Sequence, residues 1–336
     1  MAFHLTLILL VFLMVPASLT AQSAGKLTKI DALWRLAMEK NRVKHAALVV
    51  AYRGKVIHTI ELGRKATERA AVASVSKAVT ASCVARLVDQ GKLKTDTTLG
   101  EVFGSWLEGL GLDNPANATI TIEQLLTHSS GLKPDRTQKG GVQAWYGQGK
   151  NRDADIAARA LKNRRGGKPG SYFYNNENYA ILGMVVNART GLAQDRACAA
   201  LALAPAGISG ATFDRHWSVF GSAAGWSLSA MDLSRFASRS FSRTAAHGRP
   251  VTAWPSVRRD ARLLYGMGEI YKVSSRGGVA FHYHFGHLRN GKGRNDGAFF
   301  LVLGNGWTLS ATTDTLTESA LEAAVGGMLN AASGPG

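Results

Sequence analysis

Acidic side chains are scarce in this chain of 336 residues: 23 Asp and Glu stand against 40 Lys and Arg, a formal net charge of +17. A surface so basic attracts anionic partners. The basic clusters at residues 162–168, at Arg258 and Arg259 and at residues 289–294 are dispersed, carry no interleaved aromatic pattern and belong to no recognisable binding module. Nucleic acid is therefore not expected as a partner, and anionic cell-envelope polymers are the partners that the charge suggests. Cysteine is scarcer still. Cys83 and Cys198 belong to no C-x-x-C motif, so the pattern of a dithiol redox centre is missing. Cys83 falls among small and apolar residues of an expected helix, and both are read as free core thiols; being even in number, they could pair in an oxidising compartment.

Long apolar runs are missing as well. Residues 5–15 are almost wholly apolar, too short a run for a comfortable membrane span. Pro16, Ala17, Ser18, Leu19, Thr20 and Ala21 follow and suit signal-peptidase cleavage, so residues 1–21 read as a signal peptide, although no Lys or Arg precedes the apolar run. An uncleaved anchor is the alternative; a periplasmic or secreted protein without a stable span is expected. Internal repeats, heptads and low-complexity tracts are also absent. With 46% hydrophobic residues, the chain has enough apolar surface for a sizeable core, or for two subdomains sharing a cleft.

What is present centres on Ala71-Val72-Ala73-Ser74-Val75-Ser76-Lys77. Ser74 and Lys77 stand three residues apart at the start of an expected helix. Its apolar positions Val75, Ala78, Val79, Cys83 and Leu87 recur at near-helical spacing, and Gly91 would stop it. Residues at that spacing share a helix face, so the amine can reach the hydroxyl. A hydroxyl is a poor nucleophile until a neighbouring base takes its proton, and a lysine whose pKa is lowered by desolvation can be that base. Backbone N–H groups at a helix start would also face a developing oxyanion. Taken alone, the pattern is weak, and a serine cap with an exposed lysine is the better reading of it.

The motifs that follow separate the two readings. Thr121-Ile122-Glu123-Gln124-Leu125-Leu126-Thr127-His128-Ser129-Ser130-Gly131-Leu132 comes first. Next are Tyr174-Asn175-Asn176, within residues 169–183, then Gly225-Trp226-Ser227-Leu228-Ser229-Ala230-Met231-Asp232-Leu233 and His284-Phe285-Gly286. In this order the chain resembles the serine β-lactamase and penicillin-binding-protein superfamily, specifically the class C β-lactamase branch with its D-amino-acid peptidases and β-lactamase-like esterases. The likeness covers nearly the whole chain after the leader. It implies Tyr174 as a proton relay between nucleophile and leaving group, and Asn176 as the group that orients the substrate amide or the Lys77 amine. It also implies His284 and Gly286 as the far wall of the site, where the backbone N–H of His287 joins that of Ser74 as an oxyanion hole. A small-molecule or peptide substrate is implied, and no cofactor or metal.

The last motif departs from the family's K-T-G or H-x-G. Phe285 removes a hydroxyl that would bind a substrate carboxylate, and its ring could narrow the cleft. His284 replaces a fixed ammonium with a charge that is only partial near pH 7. No E-x-x-L-N segment like that of class A enzymes is present, so deacylation would use Tyr174 and Lys77. Separately, His282-Tyr283-His284-Phe285-Gly286-His287 is similar to the H-x-H-x-D-H run of metallo-β-lactamase-fold hydrolases. Gly286 takes the aspartate position there, and only a short tail follows, so no zinc site is expected. His128 reads as a structural loop residue, and Thr121 with Gln124 as a capping box.

Residues 30–41 read as an amphipathic helix with Ile30, Leu33, Trp34, Ala37 and Met38 on one face. Residues 46–52 and 55–62 read as strands around an Arg53-Gly54 turn, and residues 298–303 and 307–312 as strands around Gly304-Asn305-Gly306. Residues 317–329 read as a helix. Strands thus gather at both ends while the middle is rich in helix and loop. The expected fold class is α+β, an antiparallel sheet flanked by N- and C-terminal helices with an inserted mainly helical subdomain; the resemblance implies a β-lactamase/transpeptidase-like assembly. One domain is expected over residues 26–336, with its α/β part at about 26–75 and 260–332 and its helical insertion at about 76–240. The expected function is an exported serine hydrolase that works through a Ser74 acyl-enzyme on β-lactam, D-amino-acid peptide or ester bonds. The alternative is a non-catalytic or penicillin-binding envelope protein on the same scaffold.

Overall fold

Ile30, Trp34 and Met38 recur at helical spacing, and in the computed structural model they form the buried stripe of α1 (Ala21–Lys40). The structure describes residues 21–334 apart from 110–114, 139–140, 163, 241–250, 276 and 315. The signal-peptide reading therefore lies outside the described residues, save for Ala21. Among the described residues, no helix is long and apolar enough to cross a membrane.

The chain then turns at Arg53-Gly54 between β1 (Ala46–Tyr52) and β2 (Lys55–Leu62), at the expected bounds. The other large-sheet strands come late: β6 (Val257–Arg258), β7 (Leu264–Gly266), β8 (Glu269–Val273), β9 (Val279–Arg289), β10 (Asn295–Leu303) and β11 (Trp307–Asp314). They form one sheet in the order β2-β1-β11-β10-β9-β8-β7-β6, every neighbouring pair antiparallel. β1 pairs with β11, Val49 opposite Ser310, so the two ends of the chain meet one strand in from the β2 edge of the sheet.

Strand alternation divides the packing. On β10, Phe299, Leu301 and Leu303 pack with Ile30 and Trp34 of α1 and with Leu321 and Val325 of the C-terminal helix, while Ala298 and Phe300 join the core of the helical body. That body lies between β2 and β6. It comprises α2 (Ser76–Asp89), α3 (Leu99–Gly109), α4 (Ile122–Leu126), α5 (Asp153–Lys162), α6 (Asn176–Thr190), α7 (Gln194–Cys198), α8 (Gly221–Ala224) and α9 (Ala230–Ser240). A small sheet joins β3 (Ala70–Ala71), β5 (Trp226–Leu228) and β4 (Thr212–Phe213) in the order β3-β5-β4. The C-terminal helix is α10 (Glu318–Ser333), with Thr317 as its N-cap, and Thr121 and Gln124 form the expected capping box on α4. The fold is thus α+β, with an antiparallel sheet between terminal helices and a helical body.

The reading of the cysteines as free thiols is corrected. Cys83 on α2 and Cys198 on α7 form a disulfide, with Cα atoms 5.2 Å apart. Both are fully buried, as expected, but their pairing depends on α7 packing against α2, which a sequence separation of 115 conceals from sequence spacing. A cross-link closing so long a loop restricts the unfolded chain strongly. Replacing both cysteines by serine is expected to lower the unfolding free energy by about 2–5 kcal/mol in urea titration, and denatured, unreduced protein is expected to show no free thiol with Ellman's reagent.

Candidate active site

Between Ala71 and Ala85, Ser74 alone is partly exposed; every other residue is buried. It occupies a single 3-10 turn, Ala73–Val75, that runs into α2. Ala73 holds φ at +49°, a left-handed conformation uncommon for a residue with a side chain. The neighbouring strand over-determines it. Trp226 of β5 accepts from the Val72 N–H at 2.9 Å through its carbonyl and donates its own N–H to Ser76 Oγ at 3.0 Å. The Gly225–Leu233 motif therefore clamps the chain on both sides of Ser74.

Lys77, one helical turn on, is fully buried. Its Nζ donates to Asn176 Oδ1 at 2.8 Å, to the Ala223 carbonyl at 2.9 Å and to Ser74 Oγ at 3.2 Å. The rings of Tyr174 and Tyr179 lie 4.8 and 5.7 Å from Nζ. Three acceptors and two aromatic faces favour the ammonium, as does the more distant Asp135. Loss of water outweighs them, and burial brings Lys77 down to about 7. The group is thus a free amine over the upper half of the physiological range.

Asn176 is set by a loop that the sequence reading passed over. Its Nδ2 donates to Thr137 Oγ1 at 2.9 Å, and Thr137 Oγ1 in turn donates to Asp135 Oδ1 at 2.7 Å. Asp135 Oδ2 accepts the Asn176 N–H at 2.9 Å. With the amide nitrogen committed to Thr137, Oδ1 must face Lys77. The available sequence signal was Pro134-Asp135-Arg136-Thr137, an Asp-led turn that bonds its own backbone: Thr137 N donates to Asp135 Oδ1 at 2.9 Å.

Tyr174 hydrogen-bonds Ser74 through its phenol, and burial holds that phenol far above the ordinary tyrosine range. It is therefore neutral, able to donate one proton while accepting another. The Tyr174 segment is anchored by the Thr127–Gly131 turn: the His128 carbonyl accepts from Phe173 N at 2.8 Å, and His128 Nδ1 accepts from Asn175 N at 3.3 Å. Asn178 Nδ2 lies 3.0 Å from the same Nδ1. His128 packs against the rings of Tyr174 and Tyr265, centroids 4.4 and 4.8 Å away. Burial, with Lys77 and His284 nearby, pushes its pKa well down.

β9 forms the opposite wall. Gly286 presses so closely on the turn that a Cβ there would collide with the Ser74 amide nitrogen. His284, on the same strand face, is buried and held near 3 by desolvation and by Lys77. This corrects the expectation of partial charge near pH 7: the imidazole is neutral, its Nδ1 2.7 Å from the Phe285 carbonyl and its Nε2 3.4 Å from the Tyr265 hydroxyl. Phe285 takes the other strand face, stacked on Tyr283 with centroids 6.4 Å apart, so its ring does not close over Ser74. The His287 imidazole shares that far face, where it lines a cavity of about 470 Å³ with Arg289, Glu318 and Glu322. Any contribution of His287 at Ser74 is therefore one of main chain. His282, level with His284, pairs with Glu269 at 2.7 Å, and among the described residues no group of three or more His, Cys, Asp or Glu is placed to hold a metal.

Ser74, Lys77, Tyr174 and Asn176 thus meet at one point with His284 and Gly286 alongside, an arrangement suited to proton removal from a hydroxyl beside backbone donors. Gly286→Ala should displace either β9 or the Ser74 amide and lower the reactivity of Ser74 towards a fluorophosphonate by about 10²-fold, the typical cost of a misplaced oxyanion donor. Gly326→Ala on α10, where an added Cβ would meet nothing, should leave it unchanged.

The Beta-lactamase family profile matches residues 30–283. Protein flp of Staphylococcus aureus (strain COL) is 27% identical over 168 residues, 47% of this chain and 32% of flp, so the chain spans about a third of the length of that curated relative. The solved class C beta lactamase from Rhodobacter sphaeroides superimposes with a TM-score of 0.70 at 14% identity, covering 90% of this chain and 99% of that one. A D-stereospecific amidohydrolase from a Streptomyces species does so with 0.68 at 21% identity, covering 87% and 97%. At such identities these structures share the fold, and with the family profile spanning most of the chain the protein belongs to the Beta-lactamase family, whose members include hydrolases and penicillin-binding proteins.

Proposed function

We propose that this protein is an exported serine hydrolase that forms an acyl-enzyme on Ser74 with amide or ester substrates. One observation carries the reading: a lysine with no access to water, shifted to about 7, donates to the one partly exposed hydroxyl of its helix start at 3.2 Å. A lysine that served stability alone would be cheaper left in water.

In this reading the Lys77 amine takes the Ser74 proton as Oγ attacks the substrate carbonyl. The Ser74 and His287 amides receive the oxyanion. The Tyr174 phenol gives its proton to the leaving nitrogen or oxygen and recovers one from Lys77, which restores both groups as the carbonyl–leaving-group bond breaks. Water then attacks the ester, losing its proton along the same path, and Ser74 is released with its proton. No cofactor is needed for any of these steps. Neutral His284 offers no fixed cation for a substrate carboxylate, which favours esters and uncharged amides over substrates that depend on one. Export is supported by the leader-like residues 1–21 and by the buried disulfide, a pairing typical of oxidising compartments. The net charge of +17 suits residence among anionic envelope polymers.

Incubation with a fluorophosphonate, and separately with a fluorescent penicillin, should give a covalent adduct on the Ser74 peptide that Ser74→Ala abolishes. Labelling by both reagents keeps β-lactam-like substrates, labelling by the fluorophosphonate alone points to an esterase or peptidase, and labelling by neither overturns the nucleophile assignment. A penicillin adduct that never turns over would favour a penicillin-binding protein without hydrolysis. Because the amine acts only when deprotonated, the labelling rate should be flat above the Lys77 pKa of about 7 and fall tenfold per pH unit well below it. Lys77→Ala should slow it about 10²- to 10⁴-fold, the usual contribution of a general base.

A further inference from the structure

Asp153 opens α5, distant in sequence from every motif above, yet it is 3% exposed. Its partners are neutral. Oδ2 accepts from Ser222 Oγ at 2.5 Å, from Ser222 N at 3.1 Å and from Asn151 Nδ2 at 3.2 Å, while Oδ1 is buried with no hydrogen-bond partner. Burial raises the carboxyl to about 7. Two glycines make room for the contact: a Cβ on Gly183 of α6 would run into Ser222 Oγ, and one on Gly221 into the Asp153 carboxyl. A buried acid without a cation is costly to keep, so the geometry it enforces is worth tracing.

That geometry leads to Lys77. Ser222 lies in the four-residue helix α8, whose next residue is Ala223. The Ser222 carbonyl accepts from Thr80 Oγ1 at 2.8 Å, and the Ala223 carbonyl accepts from Lys77 Nζ at 2.9 Å. α8 is thus tied to α2 by two adjacent carbonyls and to α5 by the N–H and the hydroxyl of Ser222. We propose that Asp153 is a positioning residue for Lys77: by gripping Ser222 it fixes the Ala223 carbonyl that, together with Asn176 Oδ1, aims the amine at Ser74. The proposal rests on the reading of Ser74 as the nucleophile.

The test separates the maximal rate of Ser74 labelling by a fluorophosphonate, kinact, from the reagent's apparent affinity, KI, in the full chain. A shift of the amine by a fraction of an ångström costs rate rather than reagent binding. Asp153→Ala should lower kinact about tenfold with KI within twofold, and Ser222→Ala, which leaves the Ser222 N–H contact, about threefold. The double variant should be no slower than Asp153→Ala, since both changes remove one contact. Asp153→Asn, whose amide oxygen accepts the same donors, should stay within about threefold of the wild type. If Asp153→Ala fails to fold, Ser222→Ala and Asp153→Asn still decide. Single variants with unchanged kinact, losses that add in the double variant, or an Asp153→Asn as slow as the alanine would each overturn the positioning role. A wild type that is not labelled at all would instead overturn the reading of Ser74.

Discussion

The removal of one ammonium group from water is the constraint on which the rest of this structure turns. Burying Lys77 disfavours its charge by several kcal/mol. The fold responds with three oxygen acceptors and two aromatic faces. Those partners offset only part of that cost, and the balance falls near 7. A carboxylate in direct contact would have tipped that balance towards a permanent ion pair. The structure keeps Asp135 one residue removed, behind Asn176 and Thr137.

Each acceptor comes from a different part of the chain, so the site exists only when the whole body is assembled. Asn176 begins α6, Ala223 lies on α8 and Ser74 leads into α2. β5 clamps the backbone around Ser74 through Trp226, and β9 closes the other side with a glycine that allows contact at the Ser74 amide. The Cys83–Cys198 disulfide ties α2, the helix that Ser74 leads into, to α7. Neutral His284 completes a wall with no fixed charge, so the electrostatics around Ser74 are set by protons that move rather than by ions that stay.

Much of this was legible in the sequence because it is local. The β1–β2 hairpin is written in an apolar run, an Arg53-Gly54 turn and a second strand, and the Thr121 capping box and the Ser74–Lys77 face follow from short spacings. The features that escaped depend on contacts between distant segments. Asp135 and Thr137 look like an ordinary turn until α6 delivers Asn176 to them. The cysteines pair only because α7 lies on α2. His284 loses its charge, and Phe285 turns away from the cleft, because of where β9 sits in the sheet, and a strand's two faces cannot be assigned until its neighbours are known. The short strands β6, β7 and β8 have too few residues to show a period, and pairing alone defines them.

Titration of the lysine ε-carbons by NMR, with selective labelling and Lys77→Arg to assign the signal, measures the central quantity without relying on any substrate. A midpoint near 7 for Lys77 is the expected result. A midpoint near the ordinary lysine value of about 10.4 would mean that the amine stays charged at working pH, and would contradict the proposal that it is the base that activates Ser74.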